Sequence, residues 1–253
     1  GIPQEDREEL GNIVDLAISA GTGEALAIEH LKRLGAYADT IVEQKRHNPT
    51  DDILSIIVHA QLEDGAPQLD NRELRAFFAL LFPAGAETTR SSIAGGLVAL
   101  IENPHELERL RRNPTLMKGA VEEIVRWTSP SVYKRRTTTR DVELGGQCIR
   151  QGQKVTIWEM SANRDEDEFA DPFRFDISRN PNFHIGFGLG SHFCLGANLA
   201  RLEIRVVFEE LLGRYKNFEI VGDREWTNNN RLVGLTHLPL RMALRGTANT
   251  PAS

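Results

Sequence analysis

The stretch Phe187-Gly188-Leu189-Gly190-Ser191-His192-Phe193-Cys194-Leu195-Gly196 ends a glycine-rich loop on a cysteine, just before a run with helical apolar spacing. Gly186, Gly188 and Gly190 let backbone come close to a flat ligand. From Leu195 to Leu212 the spacing predicts a helix, with Leu199, Leu202 and Val206 on one stripe and Gly213 as its stop. The free N–H groups and positive dipole end at a helix start stabilise a thiolate. His192 adds an N–H for an anionic group. A lone cysteine is usually an inert, buried hydrophobe, and Cys148, between Gln147 and Ile149 in β-type sequence, reads as a half-buried strand residue. The glycines and the following helix set Cys194 apart from it.

Upstream of this loop, helices dominate. Pro3 to Ile18, Gly23 to Lys45 and Thr50 to Leu62 carry helical periodicity between Gly and Pro signals. Asp70-Asn71-Arg72-Glu73 forms a capping box opening a helix that runs to about Glu102, roughly 48 Å long. Pro83 and Gly85 oppose helix in its interior by about 3 and 1 kcal/mol, so something there compensates. Helices follow from His105 and from Pro114 to Trp127. Between Val132 and Ile157 the pattern turns to β, Asn163 to Phe183 is loop, and Arg231 to Met242 reads as a strand pair. The expected organisation is therefore helical over 1–128, β-rich and loop over 129–183, the cysteine loop and its helix over 184–213, and C-terminal strands over 214–253. The fold class is mainly α with small β-sheets.

Composition narrows the field further. The chain of 253 residues and 28.3 kDa is long enough for a real core. Thirty Lys+Arg against 36 Asp+Glu give a net charge of −6, which argues against a nucleic-acid scaffold. Two cysteines exclude a disulfide-rich secreted framework. The apolar stretch Ala76 to Ile101 carries Glu87 and Arg90 at its middle, where charge is costly in lipid. With no signal peptide in the opening residues, the expectation is a soluble cytoplasmic protein without a membrane anchor.

The cysteine segment resembles the haem-thiolate signature of the cytochrome P-450 family, Phe-x-x-Gly-x-(Arg/His)-x-Cys-x-Gly. The resemblance implies haem b, with Cys194 as the iron's axial thiolate, His192 as a propionate contact, and Phe187, Gly188, Gly196 and Ala200 among the cofactor-binding positions. Three further motifs fall in the family's order. Ala84-Gly85-Ala86-Glu87-Thr88-Thr89 is similar to the oxygen-activating segment of the family's central helix; small residues leave room beside a ligand, and the resemblance implies that Glu87 and Thr88 are the catalytic proton relay. Glu123-Ile124-Val125-Arg126 is similar to the Glu-x-x-Arg motif, joined by Arg174 of Asp171-Pro172-Phe173-Arg174-Phe175 in a structural ion-pair network. Arg136, five residues before Asp141, resembles the second propionate position. Ala84, Val132 and Leu235 fall on pocket-lining segments.

What the resemblance implies is a monooxygenase that inserts one atom of O₂ into an apolar organic substrate; segments around Asn163 and Ala197 are similar to members that oxidise sterols or branched lipids. The chain carries no dinucleotide fingerprint, so NAD(P)H electrons are expected to arrive through a ferredoxin and its reductase, with Arg109, Arg111, Arg112, Arg201 and Arg205 as a candidate docking patch. The alternatives are a peroxide-using or isomerising haem-thiolate enzyme, or an inactive haem-binding or interaction fragment. The last enters because Gly-Ile-Pro-Gln-Glu-Asp-Arg at the start is similar to the middle of a family member, so the expectation is the C-terminal portion of one P-450 domain, without the helical part that precedes it.

Overall fold

The capping box holds as read: the Asp70 N–H donates to Glu73 Oε2 at 2.9 Å and the Glu73 N–H to Asp70 Oδ1 at 2.8 Å. A computed structural model describes residues 1–19 and 25–245. Its helical half comprises α1 (Arg7–Ser19), α2 (Ala25–His47), α3 (Ile53–Val58) and α4 (Asn71–Glu102), the last running through Pro83. The start of the second expected helix, Gly23, lies outside the described residues. The third is shorter than its periodicity suggests. Asp52 accepts the Ser55 N–H at 2.9 Å and so caps α3 late. Beyond His59 the chain turns, and Gln61 bridges Pro67.

Contacts gather into two compact units, Gly1–Glu87 and Thr88–Ser253. In the first, α1 packs on α2, and Leu10, Ile13, Leu34, Ala38, Ile41 and Phe78 form the core. Lys45 reaches Asp52 at 2.7 Å and ties the end of α2 to the cap of α3. Burial alone raises the Asp52 carboxyl, but hydrogen bonds from Lys45 and Thr50 outweigh it and hold the group well below the usual range.

The second unit holds the rest of α4 with α5 (Pro104–Arg112), α6 (Met117–Thr128), α7 (Glu159–Ala162) and α8 (Ala197–Arg214). Leu97, Leu100, Leu110, Ile124, Ile177 and Phe208 lie at its core. Helix α6 meets the loop after Phe175 closely: a Cβ on Gly119 would stand 2.5 Å from the Ile177 carbonyl oxygen. Helix α8 corrects two expectations. Its buried face is Ala197, Ile204, Phe208 and Leu212, whereas Leu199, Leu202 and Val206 stay 44–54% exposed. Both rows have helical spacing, and spacing does not say which row meets the core. Gly213 is no stop either, since α8 runs to Arg214 and passes directly into a strand.

Among the described residues the β structure is four separate two-stranded antiparallel sheets. Strands β1 (Tyr133–Thr137) and β4 (Lys154–Trp158) pair with Tyr133 opposite Trp158. Strands β2 (Val142–Leu144) and β3 (Gln147–Ile149) form a hairpin turned by Gly145 and Gly146, whose φ values of 56° and 74° suit glycine. Cys148 lies in β3 as expected but is exposed, because an isolated hairpin has no layer to cover that face. The C-terminal strands do not pair with each other. Strand β7 (Leu235–His237) joins β6 (Glu225–Trp226), and β8 (Leu240–Leu244) joins β5 (Tyr215–Ile220). Leu238-Pro239 between them suits no two-residue hairpin, which wants Gly or Asn. The mainly α class with small sheets stands.

Candidate functional site

The cysteine loop is built from three tight backbone bonds. The Gly188 N–H donates to Ile185 O at 2.7 Å, Phe193 N–H to Gly190 O at 3.0 Å, and Cys194 N–H to Phe187 O at 2.8 Å. Gly188 and Gly190 take φ of 73° and 65°, the region where a side chain costs most. A short 3-10 turn, Gly190–His192, leads to Cys194, and Gly196 is the N-cap of α8. Cys194 is a free, exposed thiol. Around it, Leu189, Phe193 and Leu195 are 71%, 50% and 79% exposed, an apolar rim left uncovered by the chain. His192 is exposed on the same loop, and Ala200 lies one turn into α8, half-buried.

Behind the loop stands the expected ion-pair network. Glu123 and Arg126 are both fully buried. Arg126 donates from Nε to Glu123 Oε2 at 2.7 Å and from Nη2 to Oε1 at 2.8 Å. Its other donors reach the carbonyls of Asn163 at 2.7 Å, Pro172 at 2.9 Å and Arg174 at 3.3 Å. Here one assignment changes. Arg174 contributes its backbone carbonyl, while its side chain is 62% exposed and no nearer to a carboxylate than 3.8 Å, at Asp176. The second guanidinium on Glu123 is that of Arg179, at 3.3 Å. A spacing motif places Arg174 near α6, but it is the backbone carbonyl that faces Arg126 while the side chain stays exposed.

Sequence reasoning missed three further members. Asn163, fully buried, donates to Ser129 Oγ at 2.9 Å and accepts the Ile185 N–H at 2.8 Å, so it links the end of α6 to the cysteine loop. Glu122 and His184 form a second cluster with Arg201, the carboxylate taking Arg201 Nε at 2.7 Å and His184 Nε2 at 3.1 Å. Glu122 stands beside the motif glutamate, which was the one signal available. Arg201 is thereby paired internally, as are Arg109 with Glu106 at 2.8 Å and Arg112 with Glu108 at 2.9 Å.

Elsewhere, Arg136 is exposed on β1 opposite Val155, with Nη1 donating to Arg135 O at 3.1 Å. The segments carrying Val132 and Leu235 do come together: Ser131 bridges Leu232, and Val132 N–H donates to Arg231 O at 2.9 Å. Both side chains are half-buried. Next to them Glu159 is buried with Lys134 Nζ at 3.3 Å; burial raises its carboxyl, opposed by that ammonium. In α4, Ala84 is exposed, Glu87 buried and Thr88 half-buried.

The sequence pattern of the cytochrome P450 family matches residues 15–244. The chain belongs to the cytochrome P450 family. It is 50% identical over 249 residues to cytochrome P450 126 of Mycobacterium tuberculosis, covering 96% of this chain and 60% of that protein. It is 45% identical over 218 residues to the methyl-branched lipid omega-hydroxylase of Mycobacterium bovis, covering 83% of this chain and 50% of that protein. A solved Mycobacterium marinum cytochrome P450 in complex with pseudoionone superposes with a TM-score of 0.88 at 40% identity, over 95% of this chain and 60% of that one. The chain thus spans 50–60% of the length of these P450 relatives.

Haem, the group that the P450 family implies, fits the residues present. One exposed thiol stands in an uncovered apolar rim, ahead of a helix N-terminus. Among the described residues no group of three or more His, Cys, Asp or Glu side chains is placed to hold a bare metal ion. Among the described residues, too, no helix is long and apolar enough to cross a membrane.

Proposed function

We propose that the chain carries the haem-thiolate half-site of a monooxygenase that inserts one atom of O₂ into an apolar organic substrate. The observation that carries this reading is the exposed thiol of Cys194, presented by a glycine-turned loop and braced from behind by the buried Glu123–Arg126 pair. Bound haem supplies the redox iron, and electron donation from a thiolate ligand favours O–O cleavage. The protein's own groups divide the remaining work. The His192 imidazole would donate a hydrogen bond to one propionate and the Arg136 guanidinium would pair with the other, while Phe187, Gly188, Gly196 and Ala200 would hold the ring on the cysteine side. The Thr88 hydroxyl would hold and pass on a proton for oxygen reduction, and the Glu87 carboxyl would resupply it, a task worth about 10²–10⁴-fold in rate. Val132 and Leu235, on segments that meet, would exclude water from the substrate.

A methyl-branched lipid omega-hydroxylase among the relatives and a P450 solved with pseudoionone support an apolar, branched or isoprenoid-like substrate; a sterol falls in the same class. NAD(P)H electrons reach the site through a ferredoxin and its reductase. Because Arg109, Arg112 and Arg201 are already paired with carboxylates, Arg205 is the freer cation for that contact, exposed on α8. The test is spectroscopic. In a chain extended to the length of its relatives, Cys194→Ala abolishes the thiolate-type band of the ferrous carbonyl complex, and Cys148→Ala leaves it. Survival of the band in Cys194→Ala refutes the assignment.

A further inference from the structure

Glu122 and Glu123 are neighbours on α6, yet their carboxylates serve separate clusters. Glu123 holds Arg126 and Arg179. Glu122 receives Arg201 as a two-pronged donor, Nε at 2.7 Å and Nη2 at 2.9 Å, which fixes the guanidinium plane. That plane lies over the Phe187 ring, with Cζ 4.4 Å from the ring centre. His184 approaches the same ring at 5.9 Å between centres, and its side chain is 3% exposed. Its Nδ1 accepts the Gly186 N–H at 3.2 Å, so the ring proton sits on Nε2 and is donated to Glu122 at 3.1 Å. A side chain on Gly186 would bring Cβ within 2.8 Å of Val125 Cγ1, so the loop lies hard against α6 here.

Phe187 is the residue whose carbonyl accepts the Cys194 N–H at 2.8 Å. We propose that Glu122, His184 and Arg201 act as positioning residues for Cys194, gripping the Phe187 ring from two sides so that its carbonyl holds the cysteine amide and aims the thiol outward. None of the three touches Cys194 in this arrangement; they act through Phe187. The thiol's role as an iron ligand is the reading given above, and the inference rests on it for its spectroscopic arm only.

Two variants of the 253-residue chain separate grip from bulk stability. Glu122→Gln keeps the shape and removes the charge. Arg201→Lys keeps the charge and loses both the planar stack and the second prong. Amide hydrogen exchange is read at Cys194 and, as reference, at Leu107 and Leu110 in α5. Each variant should speed exchange at Cys194 about tenfold, the scale of one partly desolvated cation–π contact or charge-assisted hydrogen bond, with the α5 amides unchanged. After haemin loading, each should also lower the share of the thiolate-type ferrous carbonyl band. Should Glu122→Gln loosen the whole unit, Arg201→Lys decides alone. No acceleration at Cys194, or acceleration spread evenly over Cys194 and α5 in both variants, overturns the proposal. A wild-type chain that binds haemin without a thiolate-type band instead overturns the cysteine assignment, while the exchange result still tests the grip.

Discussion

Arg126 has five N–H groups, and each has an acceptor within 3.3 Å: both Glu123 oxygens and the carbonyls of Asn163, Pro172 and Arg174. The residue is fully buried. Lysine at this position brings three donors on one nitrogen, so at least two of the five bonds are lost; Arg174 O keeps Arg179 Nη2 at 2.9 Å, and the carbonyls of Asn163 and Pro172 are the acceptors at risk. An orphaned buried acceptor costs about 1–3 kcal/mol, and disrupting a buried ion pair about 3–5 kcal/mol. Glu123 keeps Arg179 at 3.3 Å, the Asp176 N–H at 2.9 Å and Asn182 Nδ2 at 3.2 Å, which cushions the loss. Arg126→Lys should therefore cost about 3–5 kcal/mol, a fall in Tm of about 6–20 °C for a domain this size. Arg174→Ala, whose side chain is 62% exposed, should cost under about 1 kcal/mol. Thermal and urea unfolding followed by circular dichroism measures both. If Arg126→Lys comes within about 1 kcal/mol of the parent, or Arg174→Ala costs as much as Arg126→Lys, the buried-hub reasoning is wrong.

Three other outcomes are expected. In a chain extended to the length of its relatives, Thr88→Ala should still accept electrons but turn more of them into hydrogen peroxide and fewer into product, whereas the buried Thr89→Ala should do much less; equal product per NAD(P)H in Thr88→Ala and wild type removes Thr88 from the relay. Burial raises the Glu122 carboxyl, but His184 and Arg201 outweigh it and hold it at about 2, below its usual 4.5. A group depressed by folding adds stability that is complete above the higher value and lost as pH falls toward the lower one, so the urea midpoint should drop between those values and Glu122→Gln should flatten that part of the curve; superimposable profiles count against the cluster. Gly119→Ala, whose Cβ would stand 2.5 Å from the Ile177 carbonyl oxygen, should lower stability by about 1–3 kcal/mol through forced repacking, and a neutral urea midpoint would mean that α6 and this loop separate easily.

Local chemistry was legible where one short segment holds every part of a device. The Asp70–Glu73 capping box and the Glu123–Arg126 pair each form between residues three apart in sequence, and the β2–β3 hairpin, which the β pattern did not resolve, turns on the adjacent Gly145 and Gly146. Before Cys194, Gly188 and Gly190 take a positive φ, a property of one residue that glycine alone makes cheap. Tertiary structure decided what depends on partners far away in sequence. Arg179 replaces Arg174 on Glu123 because the fold of a loop, and not spacing, selects which guanidinium turns inward. Strand β8 pairs with β5 and not with its neighbour β7, because each strand takes the exposed edge that packing brings to it. On α8 two apolar rows have helical spacing, and only the surroundings chose Ile204, Phe208 and Leu212 for burial while leaving Leu199, Leu202 and Val206 in the open. The grip on Phe187 joins residues 122, 184 and 201 from three elements, with separations of 62 and 79 residues from Glu122, a meeting that periodicity and propensity, which act over a few residues, cannot encode.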